Sequence, residues 1–173
     1  GARIFNASVA MRVDVKDLVR AVDSVMFCLS KGLSAPVGSL VCGNKKFIDE
    51  ARKWRKMVGG GMRQSGHLAA AGIIALDELV NELKKDHTNA QALAQGLSML
   101  RGIVLKPALI KTNIIFFSLK HPALSPEEYL KKLELQGIKM LMIQPGVFRA
   151  VLHREISESQ VEQVIHISEE LTK

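Results

Sequence analysis

The chain has 173 residues and a mass of 19.0 kDa, room for one ordinary domain or one and a half small ones. Apolar residues make up 47% and charged residues 24%, which excludes a disordered tail, a collagen-like fibre and a coiled-coil rod. A net charge of +7 is compatible with nucleic acid, anionic lipid or anionic metabolites as partners.

In chain order, residues 1–13 read as a turn entering a short helix, and residues 14–20 as a second helical piece. Residues 24–30 form a continuous apolar run bounded by polar residues, which predicts a strand buried on both faces. Residues 31–37 are a loop of small and turn-forming residues, and residues 38–43 a second short strand. A basic helix is expected over 45–57, ended by Gly59-Gly60-Gly61. From residue 64 to about 83 the spacing predicts a long alanine-rich helix, resumed over 88–100 after a break near Asp86-His87.

The second part has a different rhythm. Residues 113–119 read as a strand, and Ser125-Pro126-Glu127-Glu128 as a helix start, with proline in the first turn and acids at the dipole's positive end. That helix should stop at Gly137. Strands over 138–143 and 147–153 follow, joined by Gln144-Pro145-Gly146, and an amphipathic helix over 157–171 closes the chain. A small α/β layer with an antiparallel sheet, covered by helices on one face, is the expected architecture.

Several chemistries are disfavoured at once. No apolar run approaches the roughly 18 residues of a membrane span, so no membrane partner is expected. Cys28 and Cys42 are too few for a disulfide framework and lack metal-ligand spacing, which points to a reducing, cytoplasmic setting. No histidine pair has metal-helix spacing, so no metal is expected. The basic run Arg52-Lys53-Trp54-Arg55-Lys56 interleaves a single ring, too little for stacking single-stranded nucleic acid. A solvated helix face is the plain reading of that run, with a phosphate or carboxylate site next.

Lys31 is the sharpest candidate. It ends an apolar strand and enters a loop of Gly, Ser, Ala and Pro, where lost solvation would favour the neutral, nucleophilic amine. A strand-end lysine reaching into water is the competing reading. Arg3, Arg63 and Arg149 each lie beside glycine or in a turn-flanked segment, where a guanidinium can hold a carboxylate with two parallel bonds. Surface salt bridging is the alternative for each. In a strand from Val147, Arg149 shares one face with Val151 and His153.

These residues sit in familiar motifs: Gly1-Ala2-Arg3-Ile4-Phe5-Asn6, Phe27-Cys28-Leu29-Ser30-Lys31-Gly32-Leu33 with Ala35-Pro36-Val37-Gly38-Ser39, Trp54-Arg55-Lys56-Met57 with Gly59-Gly60-Gly61-Met62-Arg63-Gln64, and Arg149-Ala150-Val151-Leu152-His153. In this order and register the chain closely resembles the low-specificity L-threonine aldolases, pyridoxal-phosphate enzymes of the aspartate-aminotransferase fold. The resemblance runs across the whole chain. It implies residues 1–104 as part of a fold-type-I large, cofactor-binding domain, and residues 105–173 as the small C-terminal α/β domain.

The resemblance also implies roles. Lys31 would carry pyridoxal 5'-phosphate as the Schiff-base lysine, and Arg3 and Arg149 would bind the substrate carboxylate. Lys56 and Arg63 match basic residues that reach a neighbouring subunit's active site, so they would be cofactor-binding in a homodimer or homotetramer. L-threonine or allo-threonine would be cleaved to glycine and acetaldehyde. The family carries an aspartate directly before its Gly-Ala-Arg, and this chain begins after that position. It is therefore expected to be the C-terminal half of an aldolase, inactive alone. A β-eliminating lyase on the same scaffold, or a catalytically silent interaction fragment, are the alternatives.

Overall fold

The computed structural model describes residues 1–173, and their packing divides them into two units, Gly1–Leu83 and Lys84–Lys173. In the first unit, helix α1 (Ile4–Met11) ends where Arg12 turns left-handed at φ 55 and donates its amide to Ser8 O and Val9 O. Helix α2 (Val15–Val19) starts at Asp14, whose carboxylate accepts the Lys16 amide at 2.8 Å. Strands β1 (Ser24–Cys28) and β2 (Ser39–Gly43) form an antiparallel pair with Phe27 opposite Leu40.

The expected double burial of the first strand is not what forms. Phe27 is buried, but Met26 is 47% exposed, and β2 is exposed along its whole length. An apolar run states a preference for cover; here β1 has a single neighbouring strand and only one covered side chain along its length. The small core of the unit gathers Phe27, Leu29, Leu33, Ala35, Ala75 and Leu83, with Ile4, Phe5 and Val9 of α1 packed against it.

Helix α3 (Lys45–Met57) begins at Asn44, whose side chain accepts the Phe47 amide at 2.9 Å, and it buries no residue. Helix α4 (Gly66–Glu78) is followed by α5 (Leu83–Ser98). The break falls at residues 79–82, not near Asp86-His87, which lie inside α5. Asp86 sits in the first turn of α5, where the helix dipole favours an acid. A residue pair that reads as an interruption is thus a helix start.

The second unit holds a four-stranded antiparallel sheet. Its members are β3 (Ile103–Val104), β4 (Ile114–Leu119), β5 (Leu141–Gln144) and β6 (Val147–Val151), in the order β3-β4-β6-β5. Helix α6 (Pro126–Leu135) starts at Ser125, which accepts the Glu128 amide at 3.2 Å, and is followed by Gly137 at φ 77. Helix α7 (Glu158–Thr172) opens with a reciprocal cap between Ser157 and Gln160. Strand β5 begins at Leu141 rather than 138, and β6 ends at Val151, leaving His153 beyond it.

Alternation along the strands builds the core. Ile115, Phe117 and Leu119 of β4 and Phe148 and Ala150 of β6 turn inward, onto Leu93 and Leu97 of α5, Tyr129 and Leu133 of α6, and Val161 of α7. Phe117 and Phe148 stack at 5.1 Å, and Tyr129 meets Phe148 edge-on at 5.5 Å. The Tyr129 hydroxyl pairs with Ser168 Oγ at 2.8 Å. Gly96 lets α5 approach α7: a Cβ there would stand 2.7 Å from Ile165 Cγ1.

The packing division at Leu83/Lys84 precedes the 104/105 boundary expected between cofactor and small domains. Two causes are visible: α5 supplies one wall of the second core, and Ile103–Val104 pairs with β4 as a strand of the second sheet. No helix is long and apolar enough to cross a membrane.

Candidate active site

Lys31 follows β1 on a backbone held from several sides. The Leu29 amide donates to Gly38 O at 2.9 Å, the Ala35 amide to Leu29 O at 3.1 Å, and the Ser34 amide to Lys31 O at 2.8 Å. Leu33 and Ala35 are buried behind the turn, while the Lys31 side chain is exposed. A fixed backbone therefore presents a free amine. Gly32 explains how closely the turn is seated: an added Cβ would lie 3.0 Å from Asn6 Oδ1 and 2.9 Å from Leu83 Cδ2.

Asn6 is 3% exposed and is the one fully buried residue of α1. One turn before it stands Arg3, the residue that enters α1. The Cys28 amide donates to Ala2 O at 3.4 Å, and Phe5 meets Phe27 edge-on at 5.2 Å, so the Gly1–Asn6 segment lies along the end of β1. The start of α1 and the Lys31 turn thus belong to one packed corner. Within it the Arg3 Nε is buried and has no hydrogen-bond partner. A buried donor left unsatisfied is costly, and an anion placed there would satisfy it.

Arg149 sits mid-strand on β6, half-buried, on the face opposite the core. Its ladder partners there are Phe116 of β4 and Leu141 of β5. The other strand residues on this face are uncharged, including Ile114, Val147 and Val151. Ion pairs form between Lys45 and Asp49, Arg52 and Asp49, Lys132 and Glu128, His153 and Glu155, and His166 and Glu170, and Arg3, Lys31 and Arg149 take part in none of these.

Lys56 lies in the last turn of α3, and Arg63 in the segment leading to α4; both are exposed. The Gly60 amide donates to Arg55 O at 2.7 Å, closing α3, and a Cβ on Gly61 would lie 3.3 Å from Lys56 Nζ. The glycine run therefore makes room for the Lys56 amine.

Two features lay outside the expected site residues. Asn6 carries its signal in the spacing Arg3-x-x-Asn6, one helical turn. Phe116 and Leu141 carry none, because cross-strand register is not written in local sequence. Elsewhere, burial lowers the pKa of His87 in α5 below the usual 6.5, and raises that of Tyr129 to about 12.

An exposed amine on a rigid turn can condense with a carbonyl compound, and a partly desolvated, unpaired guanidinium in the same corner can hold an anion. The model of the Beta-eliminating lyase family matches residues 1–120, and the chain belongs to that family. It is 46% identical over 162 residues to low-specificity L-threonine aldolase 1 of Arabidopsis thaliana, covering 93% of this chain and 45% of that protein. It is 42% identical over 165 residues to low specificity L-threonine aldolase of Escherichia coli strain K12, covering 95% of this chain and 47% of that one. The threonine aldolase structure from Leishmania major shares the fold, with a TM-score of 0.76, 20% identity, and coverage of 100% of this chain and 51% of that chain. The fold is that of the fold-type-I pyridoxal-phosphate enzymes. The chain spans about half the length of the curated relatives it matches.

Proposed function

We propose that this chain is part of a pyridoxal-phosphate-dependent lyase that cleaves the bond between the α and β carbons of L-threonine and related β-hydroxy-α-amino acids. The observation that carries this reading is the Lys31 turn: the backbone is held by the Leu29, Ser34 and Ala35 hydrogen bonds while the amine stays exposed. The loss of solvation expected at the strand end is not seen, since Lys31 is exposed, but an accessible amine on a held turn can condense with an aldehyde cofactor. Bound there, pyridoxal phosphate would supply an electron sink for the pair left on the α carbon.

The remaining work falls to this chain's own side chains. Lys31 would hold the cofactor by its Nζ. Arg3 and Arg149 bind the substrate carboxylate; the unsatisfied Arg3 Nε and the solitary charge of Arg149 on an apolar sheet face support that assignment. Fixing the carboxylate would orient the α carbon and so decide which of its bonds is placed to break. Lys56 and Arg63 act across a subunit boundary, on the cofactor of a neighbouring copy in a homodimer or homotetramer.

The family's description favours one second reading, β-elimination on the same lysine. Product analysis of the holoenzyme with L-threonine separates the two. Cleavage between the α and β carbons yields glycine and acetaldehyde in equal amounts. Ammonia and a keto acid in their place would overturn the aldolase reading.

A further inference from the structure

The outer face of the small sheet carries a single charged strand residue, and backbone parity shows what surrounds it. The Leu152 amide donates to Asn113 O at 2.9 Å, and the Leu119 amide to Gly146 O at 3.1 Å. Even-numbered residues along β6 therefore turn their backbone polar groups to β4, and odd-numbered ones to β5. Arg149 accordingly forms a non-hydrogen-bonded pair with Phe116, the kind in which facing side chains stand closest, and a hydrogen-bonded pair with Leu141. Phe116 is 50% exposed and Leu141 59%, so neither is committed to the core, which takes Phe117 and Phe148 instead. The row Phe116–Arg149–Leu141 places Arg149 on the sheet between two residues with large apolar side chains.

We propose that Phe116 and Leu141 are positioning residues for Arg149. They strip water from the flanks of the guanidinium and restrict its rotamers, so an arriving carboxylate meets a held and weakly hydrated cation. This rests on the reading of Arg149 as a carboxylate-binding residue and adds what sets its strength. A charge pair gains strength as the effective dielectric falls, and salt screens a partly buried pair less than an exposed one. A side chain already confined also loses less freedom on binding. The inference therefore makes salt dependence, and not affinity alone, the property that Phe116 and Leu141 control.

The test uses the holoenzyme with Phe116→Ala, Phe116→Leu, Leu141→Ala and Arg149→Ala. KM and kcat for L-threonine and the Kd for glycine are measured between about 0.05 and 0.5 M salt. Phe116→Ala should raise KM and the glycine Kd about tenfold, leave kcat within about twofold, and steepen the salt dependence of both binding parameters. Phe116→Leu, which keeps apolar cover, should recover most of the loss, and Leu141→Ala should act in the same direction but less. Arg149→Ala should raise KM further than any of these and flatten the salt dependence. If Arg149→Ala raises KM while Phe116→Ala changes neither affinity nor its salt dependence, the positioning role is wrong and the carboxylate role of Arg149 stands. If Arg149→Ala leaves KM unchanged, the carboxylate role itself falls. Melting temperatures of the variants, with Phe116→Leu as the fold-preserving control, separate lost binding from lost structure.

Discussion

Lys84–Lys173 closes a core around Phe117, Phe148, Tyr129 and Leu133, with one sheet face covered by helices, whereas Gly1–Leu83 gathers only a small cluster and leaves much of its apolar surface open. Met26, Leu40 and Val41 of its two strands, Phe47, Trp54 and Met57 of α3, and Ile73 and Ile74 of α4 are all exposed. In the second unit the open strand residues sit together on the outer sheet face that bears Arg149. The difference separates two uses of apolar sequence. One unit spends it on its own stability; the other presents it, along with Lys31, Lys56 and Arg63, on surfaces that ask for cover.

The sharpest way to break this contrast is to express the units separately. Residues 84–173 should give a soluble species with a cooperative thermal transition, and residues 1–83 should aggregate or lack one. The reverse outcome, a cooperative first unit and a molten second, would remove the contrast.

Single substitutions sharpen it. Phe117→Ala should cost about 3–5 kcal/mol by emptying the aromatic cluster, read by denaturant unfolding of the second unit. Trp54→Ala, at a side chain 59% exposed on α3, should change stability by about 0.5 kcal/mol or less. Equal costs would show that α3 is packed and not displayed.

The glycines offer a finer pair. Gly96→Ala should destabilise by about 1–3 kcal/mol, because its Cβ meets Ile165 and α5 and α7 must part. Gly66→Ala, at the first residue of α4 with open space around it, should be neutral or stabilise by up to about 1 kcal/mol. Chemical denaturation of the two variants decides the matter, and an equal response would mean the helix approach at Gly96 is not tight.

The last probe is also the cleanest, because the chain has one tyrosine. Burial raises the pKa of Tyr129 to about 12, above the usual 10.0, with the Ser168 hydrogen bond acting weakly the other way. The neutral phenol thus contributes stability that is fully present below pH 10.0 and lost as pH rises through about 12. Spectrophotometric titration should show tyrosinate appearing near 12, and appearance near 10 in the folded protein would contradict the buried placement.

Much of the fold was legible where capping chemistry is local. The basic helix at 45–57 was readable to its last residue, and Ser125-Pro126 and Ser157 mark the starts of α6 and α7. What was not legible depends on partners distant in sequence. The apolar run of β1 reads as doubly buried, yet burial depends on neighbours that a run does not specify. Asp86 reads as a helix break because a first-turn acid and a linker acid look alike without the packing of Leu83. Strand β3, only Ile103–Val104, is too short to announce itself by alternation. In the site, glycine-rich context pointed to Lys31, Arg3 and Arg149, but the seating of Gly32 against Asn6 and the flanking of Arg149 by Phe116 and Leu141 are products of tertiary register.

The central claim is that Lys31 is the amine that carries the cofactor. The direct measurement is borohydride reduction of the holoenzyme with pyridoxal phosphate, followed by peptide mass mapping, with Lys31→Ala run in parallel. The account predicts a single reduced pyridoxyl adduct on the peptide containing Ser30-Lys31-Gly32, and none in the variant. An adduct on another lysine, with Lys31 unmodified and Lys31→Ala still turning over, would contradict it.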